Sequence, residues 1–329
     1  MQKKLASLLN IANHYYASDI HFIVQQEHVK ISIRGIRGIV ELHDEAFDYP
    51  LFNYLKYLAN LDLGNMTLPQ SGNFQLELDG KELYFRFSLL ISAHLQTAVL
   101  RILNNHQSIN INQLSNDHKQ CRSFYNWTKF RSGLIILSGP TGSGKTTTLH
   151  ALLEEIAYNK RLKIITLEDP IEIVADSYLQ LQINEKANFT YEEGIKQLLR
   201  HDPDVIMIGE IRDEATAKMA YRCALTGHMV FSTIHAKSSV EAIKRLEELG
   251  LKRKDLIGTL TAISAQRIYA GKGRKQRVCV YEILEKNELT EYLETGNLIS
   301  HHFSIEDEIR EAIKKGWISK KEASIDIKV

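Results

Sequence analysis

The chain has 329 residues, 44% apolar and 25% charged, with no low-complexity tract; that usage belongs to a folded protein with a sizeable core, excludes intrinsic disorder, and at this length suggests two domains. Forty-one basic against 40 acidic residues leave a net charge of +1, so no whole-chain field draws nucleic acid or an acidic membrane. No stretch approaches the ~20 consecutive apolar residues of a membrane span, and Cys121, Cys223 and Cys279, odd in number and widely spaced, point to free thiols in a reducing, cytosolic setting.

The opening MQKKLASLLNIANHYY has an apolar run broken by Asn10, Asn13 and His14, which predicts an amphipathic helix rather than a signal peptide. Between residues 20 and 102 apolar side chains alternate: Ile20, Phe22 and Val24; Val29, Ile31 and Ile33; Phe74, Leu76 and Leu78; Leu83, Phe85 and Phe87. Period two predicts strands, and Asp79-Gly80 between the last two sets predicts a tight hairpin. Leu51, Tyr54, Leu55 and Leu58 at helical spacing supply a helix to cover the sheet. Residues 1–106 are therefore expected to form a small α+β domain. The Asn-rich run NNHQSININQLSN, residues 104–116, breaks both periodicities and predicts a linker, set at 107–120.

From 121 to 329 short apolar strands alternate with longer amphipathic helices: GLIILSG, KTTTLHALLEEIAYN, KIITLED, TYEEGIKQLLR, VIMIGEI, DEATAKMAYRCALT and MVFSTIH. That order predicts an α/β domain with a largely parallel sheet and helices on both faces. The remainder, from 238 on, reads as mostly helical.

GPTGSGKT, residues 139–146, matches the phosphate-binding P-loop pattern and lies where the mechanism needs it, between a strand and a helix. Gly139, Pro140, Thr141, Gly142, Ser143 and Gly144 let backbone N–H groups close around phosphates at a helix N-terminus. Lys145 reaches the terminal phosphates, and Thr146, followed by Thr147, offers its hydroxyl to Mg²⁺. Two later strands deliver acids at their C-terminal ends, the ligand-binding edge of open α/β sheets. KIITLEDPIE carries Glu168, Asp169 and Glu172, and DPDVIMIGEIRD carries Glu210. Phosphoryl transfer to water needs one group on the water and another on the metal; Glu168 is assigned to the attacking water and Glu210 to Mg²⁺ through water. His228 and His235 bracket the next strand in TGHMVFSTIH, where either senses the γ-phosphate or serves as a capping or packing residue.

Together GPTGSGKTTT, ITLEDPIE, LLRHDPDVIMIGEIRD and TGHMVFSTIHA resemble, in content and order, the secretion superfamily of ATPases that drive type II secretion and type IV pilus machines. ASDIHF, RGIRG, PQSGNF, FRFSLL and AVLRIL look like the N-terminal domain of that family. The resemblance implies a RecA-like P-loop domain preceded by a smaller, PAS-like α+β domain. It also implies a homo-hexamer that hydrolyses ATP with Mg²⁺, peripheral at the inner face of the plasma membrane, acting on a polytopic membrane platform protein without direct contact to nucleic acid. Arginines from the N-terminal domain reach over the nucleotide in that family, and the matching positions are Arg86 and Arg101.

Three departures qualify the likeness. SAHLQTAVLR lacks the Gly-Glu pair that often precedes the last arginine strand, SAQRIYAGKGRKQRVCVYEIL has only Cys279 where many members carry zinc-binding pairs, and the chain starts almost at the N-terminal domain. No zinc is expected. The short form resembles the Gram-positive competence pilus assembly ATPase or the retraction ATPases, while a RecA-like nucleic-acid translocase is the alternative from another class. Lys272, Arg274, Lys275 and Arg277 form a basic loop where the zinc loop would be, read as solvated or as a contact for an acidic partner or phosphate.

Overall fold

The computed structural model describes residues 1–15, 17–35, 38–44, 46–64, 67–78, 80–92, 94–103, 109–160, 162–272, 277–298 and 302–327. The chain divides into two compact units, 1–107 and 108–329.

In the first unit α1 (Gln2–His14) leads into β1 (Asp19–Gln25), β2 (His28–Gly35) and β3 (Gly38–Leu42). Then come α2 (Tyr49–Leu58), β4 (Gln70–Leu78), β5 (Lys81–Ile91) and β6 (Gln96–Ile102). The six strands form one sheet in the order β3-β2-β1-β6-β5-β4, every pair antiparallel. Period two puts Ile20, Phe22, Ile33, Phe85, Phe87 and Leu100 on one face, where they are buried against Leu5, Leu8 and Leu9 of α1 and Leu51, Phe52 and Leu55 of α2. Phe22, Phe52 and Phe87 meet with centroids 5.8 to 6.1 Å apart, the tilted geometry aromatic rings prefer. Asp48 caps α2 by accepting from Leu51 N, satisfying a donor that the helix itself cannot. Asp79 lies outside the described residues, but Leu78 pairs directly with Lys81 and Gly80 has φ +73°, as a two-residue hairpin requires.

The second unit runs α3 (His118–Trp127), β7 (Gly133–Ser138), α4 (Lys145–Lys160), β8 (Ile164–Glu168), β9 (Leu179–Gln182), α5 (Tyr191–Leu199), β10 (Val205–Ile208), α6 (Glu214–Leu225) and β11 (Met229–Ile234). It continues with α7 (Ser239–Glu248), α8 (Arg253–Thr259), β12 (Leu260–Ala270), β13 (Arg277–Glu285), α9 (Lys286–Thr295), α10 (Ile305–Lys314) and α11 (Lys320–Ala323). Its sheet has the order β13-β12-β7-β11-β10-β8-β9, parallel except for β13 against β12. Successive residues of β7 bury opposite ways: Leu134 and Ile136 pack with α5, α6 and α7, Ile135 and Leu137 with α3 and α4. Burial on both faces explains why these strands read as unbroken apolar runs.

Two expectations change. The region after 238 is mostly helical in its regular structure, as expected, but also holds two long strands that were not expected, β12 and β13; both faces are largely buried, and Gln266, Arg267 and Glu282 interrupt the apolar pattern that would have marked them. Of the stretch expected as linker, the described residues from 109 onward belong to the second unit, where Ile111 and Leu114 are buried in its core. Asn104 and Asn105 of the same stretch lie outside the described residues, as do Arg274 and Lys275 of the basic loop. The three cysteines are free thiols. No described helix is long and apolar enough to cross a membrane.

Candidate nucleotide site

β7 ends at Ser138 and α4 begins at Lys145, so the six residues between them form the strand-to-helix loop at the C-terminal edge of a parallel sheet. Gly142 and Gly144 have φ of +77° and +87°, a region L side chains rarely enter. Gly139 is fixed by space: a Cβ there would lie 2.6 Å from Ser143 Oγ and 2.7 Å from the carbonyl oxygen of Gln266. Lys145 curls back across the loop, its Nζ donating to Gly139 O at 2.8 Å and Pro140 O at 3.0 Å. Burial holds its ammonium below the usual lysine range, Glu210 and Glu172 oppose that shift, and Arg267 adds to it. Thr146 and Thr147 follow in the first helical turn, half-buried, and Thr141 is exposed.

Glu210 follows β10 with its side chain 16% exposed; Arg212 Nε donates to one carboxylate oxygen at 2.7 Å, and His235 Nε2 lies 3.1 Å from the other. Arg212 also reaches Asp169 at 3.6 Å. His235 comes from the C-terminal end of β11, which runs parallel to β7 with Ile234 opposite Ser138, and so stands on the phosphate edge.

His228 does not. Met229 pairs with Gly133, the first residue of β7, so His228 sits at the opposite edge, a strand length of roughly 20 Å from the loop at ~3.3 Å per residue. Its Nδ1 lies 3.0 Å from both Cys223 O and Thr226 Oγ1, at the end of α6. Of the two roles expected for the histidines, this placement fits capping of α6 and not sensing of the γ-phosphate.

Glu168 closes β8 at the correct edge but points into the protein. Its Oε1 accepts from Thr166 Oγ1 at 2.7 Å and Gln180 Nε2 at 2.9 Å, its Oε2 lies 3.5 Å from His150 Nε2, and His150 bonds in turn to the Tyr178 hydroxyl. The residue is 3% exposed. Glu172, four residues on, is exposed and, with Glu210, is the acid whose charge acts on Lys145. The sequence did contain Glu172 within ITLEDPIE, but period alone cannot say which carboxylate of an acidic turn faces the ligand.

In the first unit Arg86 and Arg101 stand directly opposite each other on β5 and β6. Arg101 in turn faces Asp19, donating from Nε to Oδ1 at 2.8 Å. Like charges opposed across strands are unfavourable, and Asp19 compensates only one of the two guanidinium groups. The pair fits an anion-facing role.

A P-loop at the edge of a doubly wound parallel sheet, with an acid acting on its lysine and a histidine on that acid, defines a nucleoside-triphosphatase. Residues 1–320 match the family described as "Type II/IV secretion system protein". The competence protein ComGA of Bacillus subtilis is 33% identical to this chain, over 96% of this chain and 94% of that protein. The type II secretion system ATPase E of Vibrio cholerae is 35% identical over 81% of this chain and 53% of its own length. Among solved structures, the pilus retraction motor PilT with bound ADP superposes over 99% of this chain and 97% of that one, with a TM-score of 0.74 and 25% identity. The chain belongs to the type II/IV secretion ATPase family and is an ATPase related to the ComGA competence proteins.

Proposed function

We propose that this protein is the ATP-hydrolysing motor that assembles a competence-type pilus for DNA uptake. The similarity to ComGA along almost the whole chain carries that reading. It works as a homo-hexamer at the inner face of the plasma membrane against a polytopic platform protein, without holding DNA itself.

In this reading the loop from Gly139 to Thr147 grips the phosphates with its amides and with Lys145, which exchanges its two carbonyl partners for phosphate oxygens. Thr146 and Glu210 fit a Mg²⁺ site: the threonine opens α4, and the glutamate bears on Lys145. Because Arg212 and His235 already engage both Glu210 oxygens, its reach to the ion goes through water. Held by these residues, a Mg²⁺ ion would offset the negative charge of the phosphates. Glu172 takes the role expected of Glu168 and orients the attacking water, since it is exposed where Glu168 is enclosed by its own hydrogen bonds. Arg86 and Arg101 supply positive charge to the transferring phosphoryl group.

The deciding experiment scores pili and transformation in a deletion strain. Absent pili together with lost transformation support assembly. Excess pili that cannot be withdrawn support the retraction reading, which the likeness to PilT favours. ATP turnover that rises with added DNA and weakens steeply with salt supports a nucleic-acid translocase instead.

A further inference from the structure

The P-loop rests on β12. Gln266 is fully buried and touches the loop twice: its Nε2 donates to Ser143 O at 2.7 Å, and its backbone carbonyl abuts Gly139 so closely that no Cβ fits between them. That carbonyl is itself held. Arg267, 8% exposed, donates from Nη1 to Gln266 O and from Nη2 to Lys237 O, each at 2.9 Å. Lys237 lies two residues beyond His235, so one guanidinium fixes both the strand under the P-loop and the exit of the histidine strand.

The third face of this guanidinium is closed from the far end of the chain. Arg267 Nε donates to Asp326 Oδ1 at 2.9 Å, and the Tyr269 hydroxyl donates to Asp326 Oδ2 at 2.7 Å. Asp326 follows α11 in a turn whose neighbours Ala323 and Ile327 pack with Ile305 and Ile309 of α10 against Tyr269, Val278 and Val280. The C-terminal segment therefore places a carboxylate, the one paired with Arg267 among the described residues, against a buried charge, and that charge lies near enough to Lys145 to depress its basicity.

We propose that Asp326 is a positioning residue for the nucleotide site, acting through Arg267 on the backbone of Gln266 and thereby on the P-loop. A buried guanidinium that loses its carboxylate seeks other partners, and the two carbonyls it holds are freed to shift. The amide cradle contacts phosphates in ground and transition states alike, so loosening it removes uniform binding and raises Kd and KM while leaving kcat nearly unchanged. Networks of this kind typically carry about 0.5–2 kcal/mol, that is about two- to thirtyfold in affinity.

The inference rests on the P-loop holding the nucleotide, and the test separates the two. Kd for Mg·ADP is measured by calorimetry on the full-length wild-type chain and on Asp326→Asn, Tyr269→Phe, Gln266→Met and the Asp326→Asn/Gln266→Met double variant, with Lys145→Ala as control. Failure of the wild type to bind, or wild-type affinity in Lys145→Ala, sinks the P-loop reading. With those controls in order, Asp326→Asn weakens binding by about fivefold, within the range such networks span. Tyr269→Phe, which removes a tail contact but leaves Arg267 paired, changes it by less than about twofold, and Asp326→Asn adds little on top of Gln266→Met, as coupled residues require. An unchanged Kd in Asp326→Asn, equal effects of Asp326→Asn and Tyr269→Phe, or full additivity with Gln266→Met overturns the proposal and leaves the contact a simple staple of the C-terminal segment. If Asp326→Asn fails to fold, amide hydrogen exchange of the Ser143–Gly144 segment in Ile327→Ala, which loosens the same turn, gives the answer: faster exchange supports the coupling, and unchanged exchange refutes it.

Discussion

Glu308 on α10 is a carboxyl placed where its ionised form is disfavoured. Burial pushes it up to about 7, with Asp117 and Glu311 adding to the rise, while Lys315 and the hydrogen bond with Gln120 oppose it. A group whose folded pKa is raised contributes its stability fully below its unfolded value of ~4.3 and loses it as pH climbs through the folded one. Above pH 7 the folded second unit therefore carries a strained carboxylate. The displacement is worth up to about 4 kcal/mol at ~1.4 kcal/mol per tenfold change in proton affinity, and partial solvent access reduces it to about 1–2 kcal/mol. Glu308→Gln keeps the shape and a partner for Gln120 without the charge, so it stabilises the unit by about that amount at pH 8 and by almost nothing at pH 4, below the unfolded value. Urea unfolding followed by tryptophan fluorescence isolates this unit, because the chain's two tryptophans, Trp127 and Trp317, both belong to it. An equal stability difference at the two pH values, or a wild type more stable than the variant at pH 8, would show that the Glu308 carboxyl is not held out of water in the folded unit.

The site assignments yield four further expectations. Glu172→Gln should bind ATP yet hydrolyse it about 10²–10⁴ times more slowly, whereas Glu168→Gln should keep turnover and lose stability; single-turnover phosphate release giving the reverse order returns the role to Glu168. Gly139→Ala should abolish Mg·ATP binding and destabilise the second unit by about 1–3 kcal/mol, because its methyl meets Ser143 Oγ and the Gln266 carbonyl; calorimetric binding near wild-type level contradicts the close approach. His228→Ala should lower stability by about 0.5–1.5 kcal/mol through its lost hydrogen bonds without changing nucleotide affinity of the single chain, and a weakened affinity would bring the histidine back to the phosphate edge. Arg101→Ala should cost the first unit about 1–3 kcal/mol by leaving the Asp19 carboxylate, among the described residues, with the Ser18 hydroxyl alone, a loss that Asp19→Asn in the same chain should largely relieve; no relief would mean the arginine acts through packing.

Much of this protein is written in local pattern. The alternation of Ile20, Phe22 and Val24 or of Phe85 and Phe87 sets a half-buried sheet because side chains two residues apart share a face. The apolar runs of β7, β10 and β11 mark strands covered on both sides, and GPTGSGKT places its own glycines between strand and helix. What the pattern left open is orientation and distance. Glu168 and Glu172 share one acidic string, yet Thr166, Gln180 and His150 turn the first inward while the second stays in water, a choice made by residues up to 18 positions away. His228 and His235 look equivalent at the two ends of MVFSTI until the parallel pairing of β11 with β7 sends them to opposite edges. β12 and β13 were invisible because Gln266, Arg267 and Glu282 occupy core positions that only tertiary partners make tolerable: Ser143, Asp326 and the backbone of Ser239 and Ile305. Sequence by itself determined most of the elements, β12 and β13 excepted, and the phosphate loop, since these depend on neighbours a few residues apart. Which carboxylate of the acidic string is enclosed and which stays exposed, and that the turn after α11 reaches back to the strand beneath the P-loop, were decided only by folding, because a hydrogen bond or ion pair between distant residues leaves no period in the chain.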